Sequence, residues 1–326
     1  MSLRTAWRRR PSSAVSRVGK RSLLVLSSRD LLRAARAEKK LLVAFAAPAF
    51  AAMSGIARAA REIGAPLLLV RPSGSDEQGS SEARDDAWFV EAAMRAADEL
   101  RFSFPMALLK DPPRISAQGH EHERVRAEIE AGFTGVSIAA RVDEAAAARD
   151  AALSAAEVCR LDLGLEVVPL GGTAEHVVEI ARALAARGSP PSALRITGHE
   201  KEAGPLAAEL HLALSTANES SPGELVSLGL SQLTASGPFL RALHKSAPAA
   251  LWDQLQHWAD EHQASLEQAA AHHQRLLREM PAEAHDKLEA LAFFEAAELF
   301  TKARARNSGE ALAAHIAGIV EAEAKL

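Results

Sequence analysis

Glu166 lies in an apolar run at residues 163–168 that stops at Pro169 and a Gly171-Gly172 pair, in the segment GLEVVPLGG. A helical pattern follows at once (AEHVVEIARALAARG). A strand, a glycine turn and a helix N-terminus in succession put a carboxylate on the strand and two bare backbone amides in the turn. In α/β proteins that turn is where chemistry or phosphate binding sits. The same turn also asks for glycine on backbone angles alone. His199, in TGHE after another short apolar run, is a second candidate, as a metal or substrate contact. His120 and His122 in GHEHE fit a helix start better, with Glu121 and Glu123 as first-turn acids. His272 and His273 are adjacent, whereas a metal pair on a helix needs a spacing of three or four, so they read as surface residues. The single cysteine, Cys159, excludes an intrachain disulfide and reads as a small buried hydrophobe.

The elements that must hold these residues alternate. Apolar strand-like runs fall at 41–46, 67–71, 105–109, 135–139, 163–168, 193–197, 209–215 and 225–233. Amphipathic helical patterns lie between them, the first at 28–40 with Ser28 as its N-cap. Continuously apolar strands, each followed by a helix, mean parallel strands covered on both faces. Eight such units predict a (β/α)8 TIM barrel. The alternative is a doubly wound sheet, and no GxGxxG follows the first strand to support its dinucleotide-binding form. Beyond residue 248 the strand signal ends, and 249–279, 282–305 and 308–325 read as helices. Trp252, Leu255 and Trp258 form an apolar stripe for docking on the barrel or a second subunit. The division is a basic, disordered tail (1–22), a barrel (23–248) and a helical extension (249–326).

Bulk composition narrows the class. At 326 residues and 48% apolar, the chain can bury a large core. A net charge of −4 gives no general attraction to nucleic acid or anionic membrane. The apolar runs all fall short of the ~18 residues that span a bilayer. The tail carries Arg4, Arg8, Arg9, Arg10, Arg17, Lys20 and Arg21 with no acid, but the LLVL after it is too short for a signal-peptide core. These features predict a cytoplasmic protein.

With the strands placed, several segments resemble the class II ketose-bisphosphate aldolases, most closely the larger, helically extended tagatose-bisphosphate aldolase subunits of the non-catalytic type. Residues 31–70 are similar to the family's opening helix–strand–helix–strand. AGFTGVSI at 131–138 is similar to its entry into the fourth strand. Residues 164–172 resemble its fifth-strand signature, a Glu followed by Val/Pro and two glycines. LSTANE at 214–219 and ARNSGEALAAHI at 305–316 are similar to a seventh-strand and a C-terminal segment. The matches keep family order.

The resemblance implies reversible aldol cleavage of a ketose bisphosphate, with zinc polarising the substrate carbonyl and an acid beside a ligand moving the proton. It assigns Asp111 as the proton-transfer acid, Glu166 as an assisting carboxylate, and Gly171, Gly172 and Gln232 to substrate. The chain departs from the family at the metal. Where the third strand ends in Asp-His, this chain has Asp111-Pro112, and proline offers no side-chain ligand. Ala139 replaces an Asp, Leu214 stands at the seventh-strand His, and Gln232 at an eighth-strand Lys. The expectation is therefore a degenerate zinc site in a non-catalytic or divergent subunit, a pseudoenzyme of sugar-phosphate metabolism. It would pair with a catalytic aldolase subunit or with a second copy of itself. The alternative is an active metal-dependent aldolase with a rearranged metal site that includes His199.

Overall fold

The computed structural model describes residues 3–324 apart from 20, 74–79, 113–120, 142–144, 160–162, 171–173, 189, 203–204, 206–208 and 210–211. Eight parallel strands form the barrel: β1 (Leu42–Ala46), β2 (Leu67–Arg71), β3 (Pro105–Lys110), β4 (Gly135–Arg141), β5 (Gly164–Leu170), β6 (Ala193–Arg195), β7 (Ala213–Thr216) and β8 (Gln232–Ala235). Each pairs with the next, and β8 closes onto β1 through Leu42↔Gln232 and Ala44↔Thr234. The lower half of β3 also pairs with a two-residue segment, Leu24–Val25.

Strand alternation divides the apolar runs into two cores. Val43, Phe45, Leu69 and Leu108 pack under the helical shell. Leu42, Ala44, Ala46, Leu68, Ala107 and Ala213 join a second cluster inside the barrel. Small inward side chains keep that lumen narrow. The seventh strand starts at Ala213 rather than the expected 209, and the eighth starts later than its expected 225 because residues 222–225 (PGEL) form a helical turn with proline at its start.

The helix Ser28–Ala37 lies across the amino-terminal end of the barrel. Its N-cap is Ser27, one residue before the predicted Ser28, and the Ser27 side chain accepts from Arg29 N–H at 3.1 Å. Ser28 instead faces the strands: its N–H donates to Thr134 O at 3.0 Å. A Cβ on Gly135 or Gly164 would stand 2.2 or 1.8 Å from Ser28 Oγ, so β4 and β5 must both begin with glycine. Leu31 and Leu32 fill the floor together with Leu312, Ala313 and Ile316 of the helix Ser308–Glu323.

The basic N-terminal segment is not a disordered tail. Leu3–Ala6 and Ser12–Val18 are helical, with Ala6, Ala14 and Val18 buried. Three of its arginines have partners: Arg9 pairs with Glu323, Arg21 with Glu91, and Arg17 Nη2 donates to Glu130 O at 2.7 Å. Charge density pointed to disorder, whereas the carboxylates of Glu323 and Glu91, the carbonyl of Glu130 and a small apolar face order the segment.

In the C-terminal region the helix Ala282–Lys302 runs along the helix Phe50–Ile63, and Gly55 permits the approach: a Cβ there would meet Glu289 O at 2.2 Å. The single helix expected over 249–279 is three: Ala249–Glu261, Leu266–His272 and Gln274–Arg278. Gln263 turns left-handed (φ 49°), and Ser265 with Gln268 forms a capping box that starts the second helix. His272 and His273 are not simple surface residues. His262 and His272 stack on Trp258 at 4.4 and 4.5 Å between ring centroids. His273 meets the same ring edge-on. Among the described residues no helix is long and apolar enough to cross a membrane.

Between β2, β3 and the shell lies a buried charge network. Asp86 accepts from Arg71 and, at 2.8 Å, from the fully buried Lys110. Beside it Glu128 bonds Arg124. Burial pushes the Glu128 carboxyl up to about 7, against the opposing pull of Arg124 and Lys110, while Asp86 raises it further. The folded protein therefore holds this proton more tightly than the unfolded chain does. Its contribution to stability is complete below pH 4.5, declines as pH rises, and is gone above about 7. At about 1.4 kcal/mol per pKa unit the effect is on the order of 3 kcal/mol. Glu128→Gln is expected to flatten this decline and to exceed the parent in stability at pH 8. Urea denaturation from pH 5 to 8 checks it; equal slopes for parent and variant would disprove the assignment. Cys159 is buried, and burial pushes its thiol up to about 12, so it is inert at neutral pH.

Candidate functional site

The lumen gathers charge near the carboxyl ends of β3 and β6. Register sets Ser137 of β4 beside Glu166 of β5, Glu166 beside Ala193, and Arg195 beside Ser215 of β7. Asp111 directly follows β3 and extends its ladder, its N–H donating to Arg71 O at 3.1 Å. Arg195 joins the two acids. Its Nη2 lies 2.6 Å from Glu166 Oε2 and 2.8 Å from Asp111 Oδ1, and its Nε lies 3.4 Å from Glu166 Oε1. Ser137 Oγ donates to Glu166 Oε2 at 3.0 Å, and Ser215 Oγ donates to Oε1. Burial disfavours the charged guanidinium, but Glu166 and then Asp111 more than offset this, and the Arg195 pKa rises.

The structure thus brings Asp111 and Glu166 together, through a residue the sequence did not single out. The available signal was Arg195 inside the apolar run ALRIT: a charge at an inward position of a buried strand needs a partner. Gln232 lines the same lumen and is buried. Its Nε2 lies 3.4 Å from Thr234 Oγ1, and its Oε1 has no partner among the described residues. The remaining space admits about one water molecule.

The other candidates fall elsewhere. His199 is half-buried in the turn after β6, with its N–H donating to Ile196 O at 2.8 Å, and is not among the lumen-lining residues. Its neighbour Glu200 is the organised residue of that turn, accepting from Thr216 Oγ1 at 2.7 Å and Gly198 N–H at 3.0 Å. Burial would raise the Glu200 pKa, but these hydrogen bonds outweigh it and lower the value. Leu214, placed by resemblance at a metal-ligand position, points outward into the shell core, and Ser215 is the inward residue there. His122 is exposed at the start of the helix Glu121–Ala131. Gly171, Gly172 and His120 lie outside the described residues.

Zinc favours imidazole and thiolate ligands. Asp111 and Glu166 supply only oxygens, and a guanidinium bridges them, so the donor set does not fit a zinc centre. Among the described residues no three His, Cys, Asp or Glu side chains are grouped to hold a metal. The helix Gly237–Ser246 begins after β8, a common phosphate-binding position in these barrels. Here Glu219 occupies its N-terminus, Oε1 accepting from Gly237 N–H at 2.8 Å.

No family model matches the chain. No curated protein matches it either. Solved structures do. The YdjI aldolase from Escherichia coli K12 aligns with a TM-score of 0.58 at 12% identity, over 87% of this chain and 99% of that one. Fructose-bisphosphate aldolase from Campylobacter jejuni gives 0.57 at 10%, over 90% and 99%. A protein described as a fructose-1,6-bisphosphate aldolase from Coccidioides immitis gives 0.54 at 11%, over 86% and 96%. At these identities the likeness is one of architecture: the chain is a (β/α)8 barrel with C-terminal helices, and it shares its fold with these aldolases.

Proposed function

We propose that this chain is a class II aldolase-like protein of sugar-phosphate metabolism that acts in the cytoplasm as a non-catalytic or divergent subunit. Its partner would be a catalytic aldolase chain or a second copy of itself. One observation carries the reading: Arg195 holds both Asp111 and Glu166. In the aldolase resemblance these are the proton-transfer acid and its assistant. Here Glu166 accepts from Arg195, Ser137 and Ser215 together, which leaves it poorly placed to exchange a proton with substrate. Glu219 adds support, since it sets a carboxylate where a sugar phosphate would seek a helix N-terminus.

Metal analysis and a retro-aldol assay of the purified chain test the proposal. The expected results are zinc far below one per chain, no turnover of ketose bisphosphates, and co-purification with an aldolase chain or self-association. One zinc per chain with cleavage abolished by EDTA would establish the alternative, an active aldolase with a rearranged metal site.

A further inference from the structure

Two carboxylates that converge in a barrel lumen repel each other and require a positive charge between them. In metal-dependent barrels a bound ion meets that need. Here the chain meets it with a side chain of its own: a single nitrogen, Arg195 Nη2, hydrogen-bonds Asp111 and Glu166 at once. Arg195 is 12% exposed at its side chain, so solvent does little of this neutralisation. Around it Ser137, Ser215, Thr234 and Gln232 each carry a side-chain oxygen. Gln232 Oε1 is an independent sign of an unmet requirement, because it is buried in this lumen as an acceptor with no donor among the described residues.

We propose that Arg195 is the resident cation of the lumen and that it closes a latent oxygen-donor site for a hard divalent cation of the magnesium class. Two carboxylates with hydroxyl and amide oxygens suit Mg²⁺ or Mn²⁺, ions that take oxygen ligands and keep several waters. The native lumen has room for about one water, so the ion enters only when the guanidinium and its methylenes vacate their volume. The native chain is then indifferent to both divalent ions and chelators. This inference rests on the reading above that the lumen is not a zinc centre.

The test is Mn²⁺ binding, followed by electron paramagnetic resonance, and thermal unfolding with and without MgCl₂. Arg195→Gln is expected to bind one Mn²⁺ at least about tenfold more tightly than the native chain, and its Tm is expected to rise with MgCl₂ as linked binding requires. Arg195→Lys keeps the charge and is expected to behave as the native chain does. Adding Glu166→Gln to Arg195→Gln is expected to abolish the gain. If Arg195→Gln does not fold alone, it is expected to fold by circular dichroism when refolded with MnCl₂. A folded Arg195→Gln that binds Mn²⁺ no better than the native chain overturns the inference. So does a variant that stays unfolded with the ion, or a native chain that binds Mn²⁺ equally well. Stoichiometric zinc in the native protein would instead overturn the functional reading beneath it.

Discussion

Asp86→Ala is expected to lower the stability of the fold by about 3–5 kcal/mol, the usual cost of breaking a buried ion pair from one side. The reason is what remains. Lys110 is fully buried and Arg71 nearly so, and both lose the carboxylate that they share. Glu128, whose carboxyl burial has driven towards neutrality, is a weak substitute. The carboxylate also links the helix Ser80–Glu99 to the ends of β2 and β3, so the loss falls where Asp111 leaves the sheet. Urea denaturation at pH 7 measures it. Pairing the change with Lys110→Met in a double-mutant cycle should return a coupling of about 0.5–3 kcal/mol. A loss under about 1 kcal/mol for Asp86→Ala would show that the network contributes little.

Glu166→Ala should have an effect of similar size, again about 3–5 kcal/mol, because it removes four hydrogen bonds and one of two counter-charges of Arg195. Asp111→Ala is expected to cost less. Its side chain is 22% exposed against 10% for Glu166, and it makes a single contact with the guanidinium. The order of the two unfolding midpoints is the discriminating observation. If Asp111→Ala proves the more damaging, Glu166 is not the anchor of the lumen.

The barrel was legible in the sequence because its signal is local and repeated. Runs such as LLVAFA and the LLLV of residues 67–70 are apolar at every position, which only strands covered on both faces require. Glu166 was legible as a carboxylate within a strand, and Asp111, just past the end of one, through the family resemblance. Their shared partner was not, since the contact between Arg195 and Asp111 spans 84 residues and depends on strand order around the barrel. The outward direction of Leu214 was hidden for a related reason. A strand's inward parity follows from closure, and a shift of one residue exchanges lumen for shell. The N-terminal helices were missed because the partners of their arginines, the carboxylates of Glu91 and Glu323 and the backbone carbonyl of Glu130, lie far along the chain.

The floor of the barrel bears on the order of events during synthesis. Leu31 and Leu32 are made well before the side chains that complete their cover, Leu312, Ala313, Ile316 and Ala317. The backbone join that seats them, Gly309 N–H to Gly64 O at 2.8 Å, links the same early and late portions. At about 5–20 residues per second, all eight strands emerge from the ribosome many seconds before the floor can be sealed. Through that interval the nascent barrel exposes an apolar opening at its amino-terminal end. Protection by chaperones then matters most while residues 236–323 are being translated, and a stop codon before residue 308 leaves the eight strands with an open, aggregation-prone base.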